Sequence, residues 1–178
     1  MSLSEALKTT DLAMDAQDVE AFFLGALSAD DPMPYKRALK ELFLEDSKTP
    51  AKHDSPESRA KLEAALASLW KDLENNTEKR RGQLLDVKTG TLAEQVEVMG
   101  RRGDFFLMAL TLAGADVEAM DDERGELLDE MEDHLLLLDE WIAEGASRSK
   151  EAAWVEEGEK YQSELKELWG ELQEALTV

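Results

Sequence analysis

Cysteine is absent from all 178 residues, which excludes disulfides, thiolate nucleophiles and cysteine-ligated zinc or iron–sulfur centres. Histidine occurs only at His53 and His134, so bases for proton transfer are few. There is no Gly-x-Ser-x-Gly, and Gly100-Arg101-Arg102-Gly103 has neither Walker nor dinucleotide-binding spacing. No apolar run approaches the roughly 20 residues that cross a bilayer. The opening Met1-Ser2-Leu3-Ser4-Glu5-Ala6 lacks the basic and apolar regions of a secretory leader. These absences predict a soluble, cytoplasmic chain without membrane contact. Alternating stretches rich in valine, isoleucine or threonine are missing too, so no strand is expected.

Positive charge is also scarce: 41 acidic residues face 20 basic ones, for a net charge of −21. The imbalance is concentrated between Asp116 and Glu174, where 21 acidic residues accompany five basic ones. Such a field repels nucleic-acid phosphates and favours either solubility or a basic protein partner.

What the chain does contain is one phrase written twice. Phe22-Phe23-Leu24-Gly25-Ala26-Leu27-Ser28 returns as Phe105-Phe106-Leu107-Met108-Ala109-Leu110-Thr111, and the two copies hold four of the five phenylalanines. In both, apolar residues run continuously instead of striping one face, as in a helix covered by neighbours around most of its circumference. The length suits one domain, residues 1–178, burying roughly 70% of the surface its unfolded chain exposes.

Cap and breaker residues predict six or seven helices in an all-α fold. Asp15, with Asp18 in the first turn, starts a helix that stops before Asp30-Asp31-Pro32-Met33-Pro34. A second, Tyr35 to Leu44, places Leu39, Leu42 and Phe43 on one side, and Glu45 to Ser55 reads as a loop. Ser55-Pro56 begins a long helix through Leu62, Leu66, Leu69, Trp70 and Leu73 that ends near Asn75-Asn76. Residues 77–90 are expected to cross as a loop. From Thr91 a helix runs through Leu92, Val96 and Met99, with a candidate break at Gly100–Gly103 and Gly114 as its C′ residue. Asp121 caps the next, whose Leu128, Met131, Leu135, Leu138 and Ile142 recur at steps of three and four until Gly145. An amphipathic helix from about Ser147, over 147–176, carries Trp154, Tyr161, Leu165, Leu168, Leu172 and Leu176. The last two form either a hairpin within the domain or a coiled-coil arm. Leu135 to Leu138 cover more than one face, and a homodimer through 121–176 would cover the second.

The densest set of potential ligands is Glu126, Asp129, Glu130, Glu132, Asp133 and His134. Glu130 and His134 share a helical face, but a di-iron bundle needs Glu-x-x-His on two helices, and position 131 is methionine. Glu126-x-x-Asp129 and Glu130-x-x-Asp133 have the spacing with which helical nucleotide pyrophosphatases hold magnesium. No cofactor or metal is assigned: Glu130, Asp133 and His134 are the nearest to ligands, and a solvated acidic face is the expected role. Arg101 and Arg102 are expected to balance nearby carboxylates, and could instead accept an acidic partner.

Two resemblances follow. Ala21-Phe22-Phe23-Leu24-Gly25-Ala26-Leu27 and Phe105 to Gly114 resemble, in order and spacing over residues 15–145, the two helices of the YecA/YgfB-like family of small all-helical bacterial proteins. Phe105 and Ala109 stand where that family has glycines, and Arg102 or a neighbour where it has tryptophan. The resemblance implies an all-α fold and a role in interaction or regulation. Glu130-Met131-Glu132-Asp133-His134 resembles the signature of TorD/DmsD-like chaperones, which implies binding of a basic leader peptide. The expectation is therefore a non-enzymatic interaction or regulatory module that binds a basic protein partner through Glu130, Glu132, Asp133 and His134. A maturation chaperone is the alternative, and a metal-dependent phosphohydrolase comes third.

Overall fold

Local sequence signals set most helix starts in the computed structural model, which describes residues 2–44, 50–114 and 122–176. Among them are seven helices and no strand: α1 (Leu3–Leu7), α2 (Ala16–Ser28), α3 (Tyr35–Leu42), α4 (Pro56–Arg81), α5 (Leu92–Leu112), α6 (Asp122–Arg148) and α7 (Ala152–Ala175). Four begin with reciprocal capping boxes. Ser2 pairs with Glu5, Asp15 with Asp18, Ser55 with Ser58 and Thr91 with Glu94, each pair satisfying backbone N–H groups that the first turn leaves open. Gly114 lies just beyond α5 at φ 96°, the left-handed stop that glycine supplies without strain. The expected cap Asp121 and residues 45–49 of the expected loop fall outside the described residues.

The two copies of the repeated phrase lie against each other. α2 and α5 form the most extensive helix pair, and a Cβ added at Gly25 would stand 2.9 Å from the carbonyl carbon of Phe106 and 3.0 Å from its Cα. Glycine is the residue that lets two backbones approach this closely. Each copy then reaches away from the contact. Phe23 meets Trp70 of α4 edge-on at 5.0 Å, and Phe106 meets Trp169 of α7 edge-on at 4.8 Å. Helices α1 and α4 cover α2 on one side, while α6 and α7, an antiparallel hairpin, cover α5 on the other. Phe22, Phe23 and Phe106 are fully buried; Phe105, one position out of phase, is half-buried.

Three expected boundaries are not there. The Asn75-Asn76 pair marks a kink at Asn76 (φ −137°, ψ 23°), and α4 continues to Arg81 instead of giving way to a loop. That last turn is anchored by tertiary contacts. The buried Arg81 donates from Nη1 to Ser28 Oγ at 3.2 Å, and its carbonyl accepts from Trp169 Nε1 at 3.1 Å. Gly100–Gly103 does not break α5: a Cβ at Gly103 would lie 2.9 Å from Leu135 Cδ2, so its hydrogen seats α6. Gly145 does not end α6 either, since a Cβ there would meet Trp154 Cζ2 at 2.7 Å. Trp154 stacks on Trp141 at 4.1 Å and 8°, and each indole donates to the other's carbonyl, at 2.8 Å from Trp141 and 3.0 Å from Trp154. This reciprocal clasp satisfies both buried N–H groups and fixes the register of the hairpin. Correspondingly, α7 starts at Ala152, later than the expected Ser147.

Candidate functional site

The repeat that packs α5 on α2 leaves one flank of α5 beside α6, where side chains at matching register form a groove of about 430 Å³. Asp104, Leu107 with Met108, and Thr111 with Leu112 line it from α5; Glu132, Leu135 with Leu136, and Asp139 line it from α6. Both sets follow the three-to-four residue step of one helical face. Leu107 and Leu135 are buried in its floor, while Met108 at 43% and Leu136 at 63% exposure stand open on its walls. Exposed apolar side chains of this size, gathered in a groove, are the usual marks of an interaction surface.

Three carboxylates edge this apolar surface, and no cation among the described residues pairs with them. Arg101 is engaged by Asp15 and Asp18, Arg124 by Asp30, and Arg148 by Glu144, Glu151 and Glu157. Among the described residues no ion pair reaches Asp104, Glu132 or Asp139. Asp104 feels this most. Partial burial of its carboxyl, and then the negative charge of Asp139, push its pKa up to about 6. In the folded protein Asp104 therefore holds its proton to higher pH than in the unfolded chain, so this group's contribution to stability is present at low pH and lost as pH rises from 3.8 through about 6. An Asp104→Asn variant is expected to melt higher than the parent above pH 6 and to narrow that gap toward pH 3.8; thermal melts across that interval check it.

The residues singled out from sequence are divided by the structure. Glu132 is on the groove, whereas Glu130 and Asp133 are exposed and do not line it. His134 turns inward. It is 7% exposed, its ring meets Tyr161 edge-on, and its Nε2 faces the Tyr161 carbonyl oxygen at 2.9 Å, so that nitrogen carries the proton. It ties α6 to α7 instead of belonging to a solvated acidic face. Among the described residues no three His, Asp or Glu side chains converge as a cation would require. Of the four leucines, Leu135 and Leu138 are buried within the bundle, and Leu136 and Leu137 remain exposed. Asp104, Met108 and Asp139 were missed from sequence. Their signal was present, an aspartate and a methionine at i and i+4 in the largely apolar second half of α5, but α6 had to be placed beside it to give it meaning.

A second cavity, of about 590 Å³, opens where α2, the end of α4, residues 82–91 and α5 meet. Arg102 lies at its wall, buried, with Nη1 donating to the Leu84 carbonyl at 2.8 Å and Nη2 to Gln17 Oε1. Of the two arginines expected to balance carboxylates, Arg101 bonds Asp15 and Asp18 at 2.8 Å, whereas Arg102, without an ion pair among the described residues, balances the charges of Asp15, Asp18 and Glu20 from a distance. No helix among the described residues is long and apolar enough to cross a membrane. Comparison with known protein families, curated proteins and solved structures returned no match.

Proposed function

We propose that this protein is a non-catalytic interaction module whose α5/α6 groove receives a basic, amphipathic segment of a partner protein. The observation that carries this reading is the union of exposed Met108 and Leu136 with three unpaired carboxylates, Asp104, Glu132 and Asp139. An amphipathic helix laid in such a groove buries leucine-like side chains against the floor and sets lysine or arginine at the rim. Guanidinium groups suit the rim best, because they pair with carboxylates through two directional bonds. The chain's net charge of −21 disfavours a second copy in the same place and draws a basic partner toward it. A leader with paired arginines before an apolar stretch has this chemistry, which accords with the resemblance to TorD/DmsD-like chaperones. The YecA/YgfB-like resemblance is equally consistent with a regulatory partner.

Fluorescence anisotropy with a labelled amphipathic peptide of leucine and arginine tests the proposal. Each exposed pair contributes up to about 1 kcal/mol, so Asp104→Asn with Asp139→Asn is expected to weaken binding roughly tenfold. Leu136→Glu should abolish it. Added salt should weaken it as well, since the Debye length is only about 8 Å at physiological ionic strength. Affinity unchanged in the double variant would overturn the assignment. So would self-association of the parent that Leu136→Glu removes, which would give the groove to a second copy.

A further inference from the structure

Independently of the groove, the cavity beside Arg102 is large enough to admit a small molecule. Its volume of about 590 Å³ falls within the roughly 300–1,000 Å³ usual for such pockets. Six charged residues line it: Glu20, Arg80, Asp86, Lys88, Glu94 and Arg102. Four of them are mutually paired, Arg80 with Glu20 at 3.5 Å and Lys88 with Asp86 at 2.7 Å. The two left without an ion pair among the described residues are Arg102 and Glu94. They carry opposite signs.

Arg102 is the unusual one, because charged groups are almost never fully buried unless paired. It is 7% exposed, lies in a chain with a twofold excess of acids, and makes no ion pair among the described residues. Two of its five N–H groups are used, by the Leu84 carbonyl and Gln17 Oε1, and its Nε is without any partner. The carboxylates of Asp15 and Asp18 are bonded by Arg101 and, with Glu20, act on Arg102 only through their charge. Glu94 spends its carboxylate on the capping box with Thr91, which holds its pKa below the ordinary carboxylate value and keeps it charged. Eight residues of α5 separate the two, a rise of about 12 Å along the axis.

From this arrangement we infer that the cavity binds a small zwitterion whose carboxylate meets Arg102 and whose ammonium group, several ångströms away, meets Glu94. An ω-amino acid or a short peptide carries these two charges at its opposite ends. A phosphate dianion lacks the second charge and would face three carboxylates.

Isothermal titration with ε-aminocaproate as the probe tests the inference, with hexanoate, hexylamine and inorganic phosphate as comparison ligands. Saturable binding of ε-aminocaproate is expected, roughly threefold or more tighter than either singly charged analogue, the factor that an exposed ionic contact supplies. Glu94→Gln keeps a residue suited to the capping box and should erase the preference over hexanoate. Arg102→Gln should erase the preference over hexylamine; if it fails to fold, Glu94→Gln decides. No saturable binding of ε-aminocaproate, binding of phosphate alone, or a Glu94→Gln protein that discriminates as the parent does would each overturn the site.

Discussion

Replacing Phe106 with alanine is expected to cost about 3–5 kcal/mol and to lower the melting temperature by about 6–20 °C. The side chain is completely buried and its ring meets Trp169 edge-on at 4.8 Å, so truncation removes both apolar area and an aromatic contact that joins α5 to α7. The cavity would lie where two helices converge, and neither can collapse into it without disturbing the other. Phe23→Ala should behave alike, since Phe23 is equally buried and holds Trp70 and Tyr35 in place. The neighbouring Phe105→Ala supplies the contrast. Phe105 is half-buried, out of phase with the core, and its loss should cost much less. Thermal melts of the three variants check the phase of the repeated phrase directly. Equal melting temperatures for Phe105→Ala and Phe106→Ala would contradict it.

A second large effect is expected at Gly25, with the opposite sign from the usual rule. Glycine to alanine inside a helix ordinarily stabilises by about 0.5–1 kcal/mol. Gly170 of α7 should obey this, because an added Cβ there meets nothing within 4 Å. At Gly25 the added carbon would press into the backbone of Phe106, its carbonyl oxygen first, and a backbone atom cannot swing aside as a side-chain tip can. Either α2 and α5 separate, opening the best-packed contact of the molecule, or the helix bends. Overpacking of this kind costs typically about 1–3 kcal/mol, and we place Gly25→Ala at about 3 kcal/mol or above. Chemical denaturation of Gly25→Ala and Gly170→Ala side by side should therefore give shifts in opposite directions. A stabilised Gly25→Ala protein would place the helix crossing elsewhere.

How far the fold is legible in the sequence depends on how local each determinant is. Asp15, Ser55 and Thr91 announce helix starts because capping is settled within three residues, and the structure has each in a reciprocal box. Gly100–Gly103 and Gly145 read locally as stops, yet they lie inside helices where Leu135, Leu138 and Trp154 come close. Nothing nearby in sequence distinguishes a glycine that ends a helix from one that admits a neighbour. Asn75-Asn76 misleads in the same way: the kink is local, but α4 resumes because Arg81 reaches Ser28, 53 residues away in sequence. The groove shows the same division. Glu132 stands out in the acidic run of α6, whereas Asp104 acquires meaning only when α5 brings it beside Asp139.

The most direct test of the interaction-module account is an amide NMR titration of the labelled protein with the leucine–arginine peptide. Shift changes are expected to gather at residues 104–112 of α5 and 132–139 of α6 and to disappear in Leu136→Glu. Changes that instead follow Glu130 and Asp133 along the open side of α6, with Met108 and Leu112 unmoved, would contradict it.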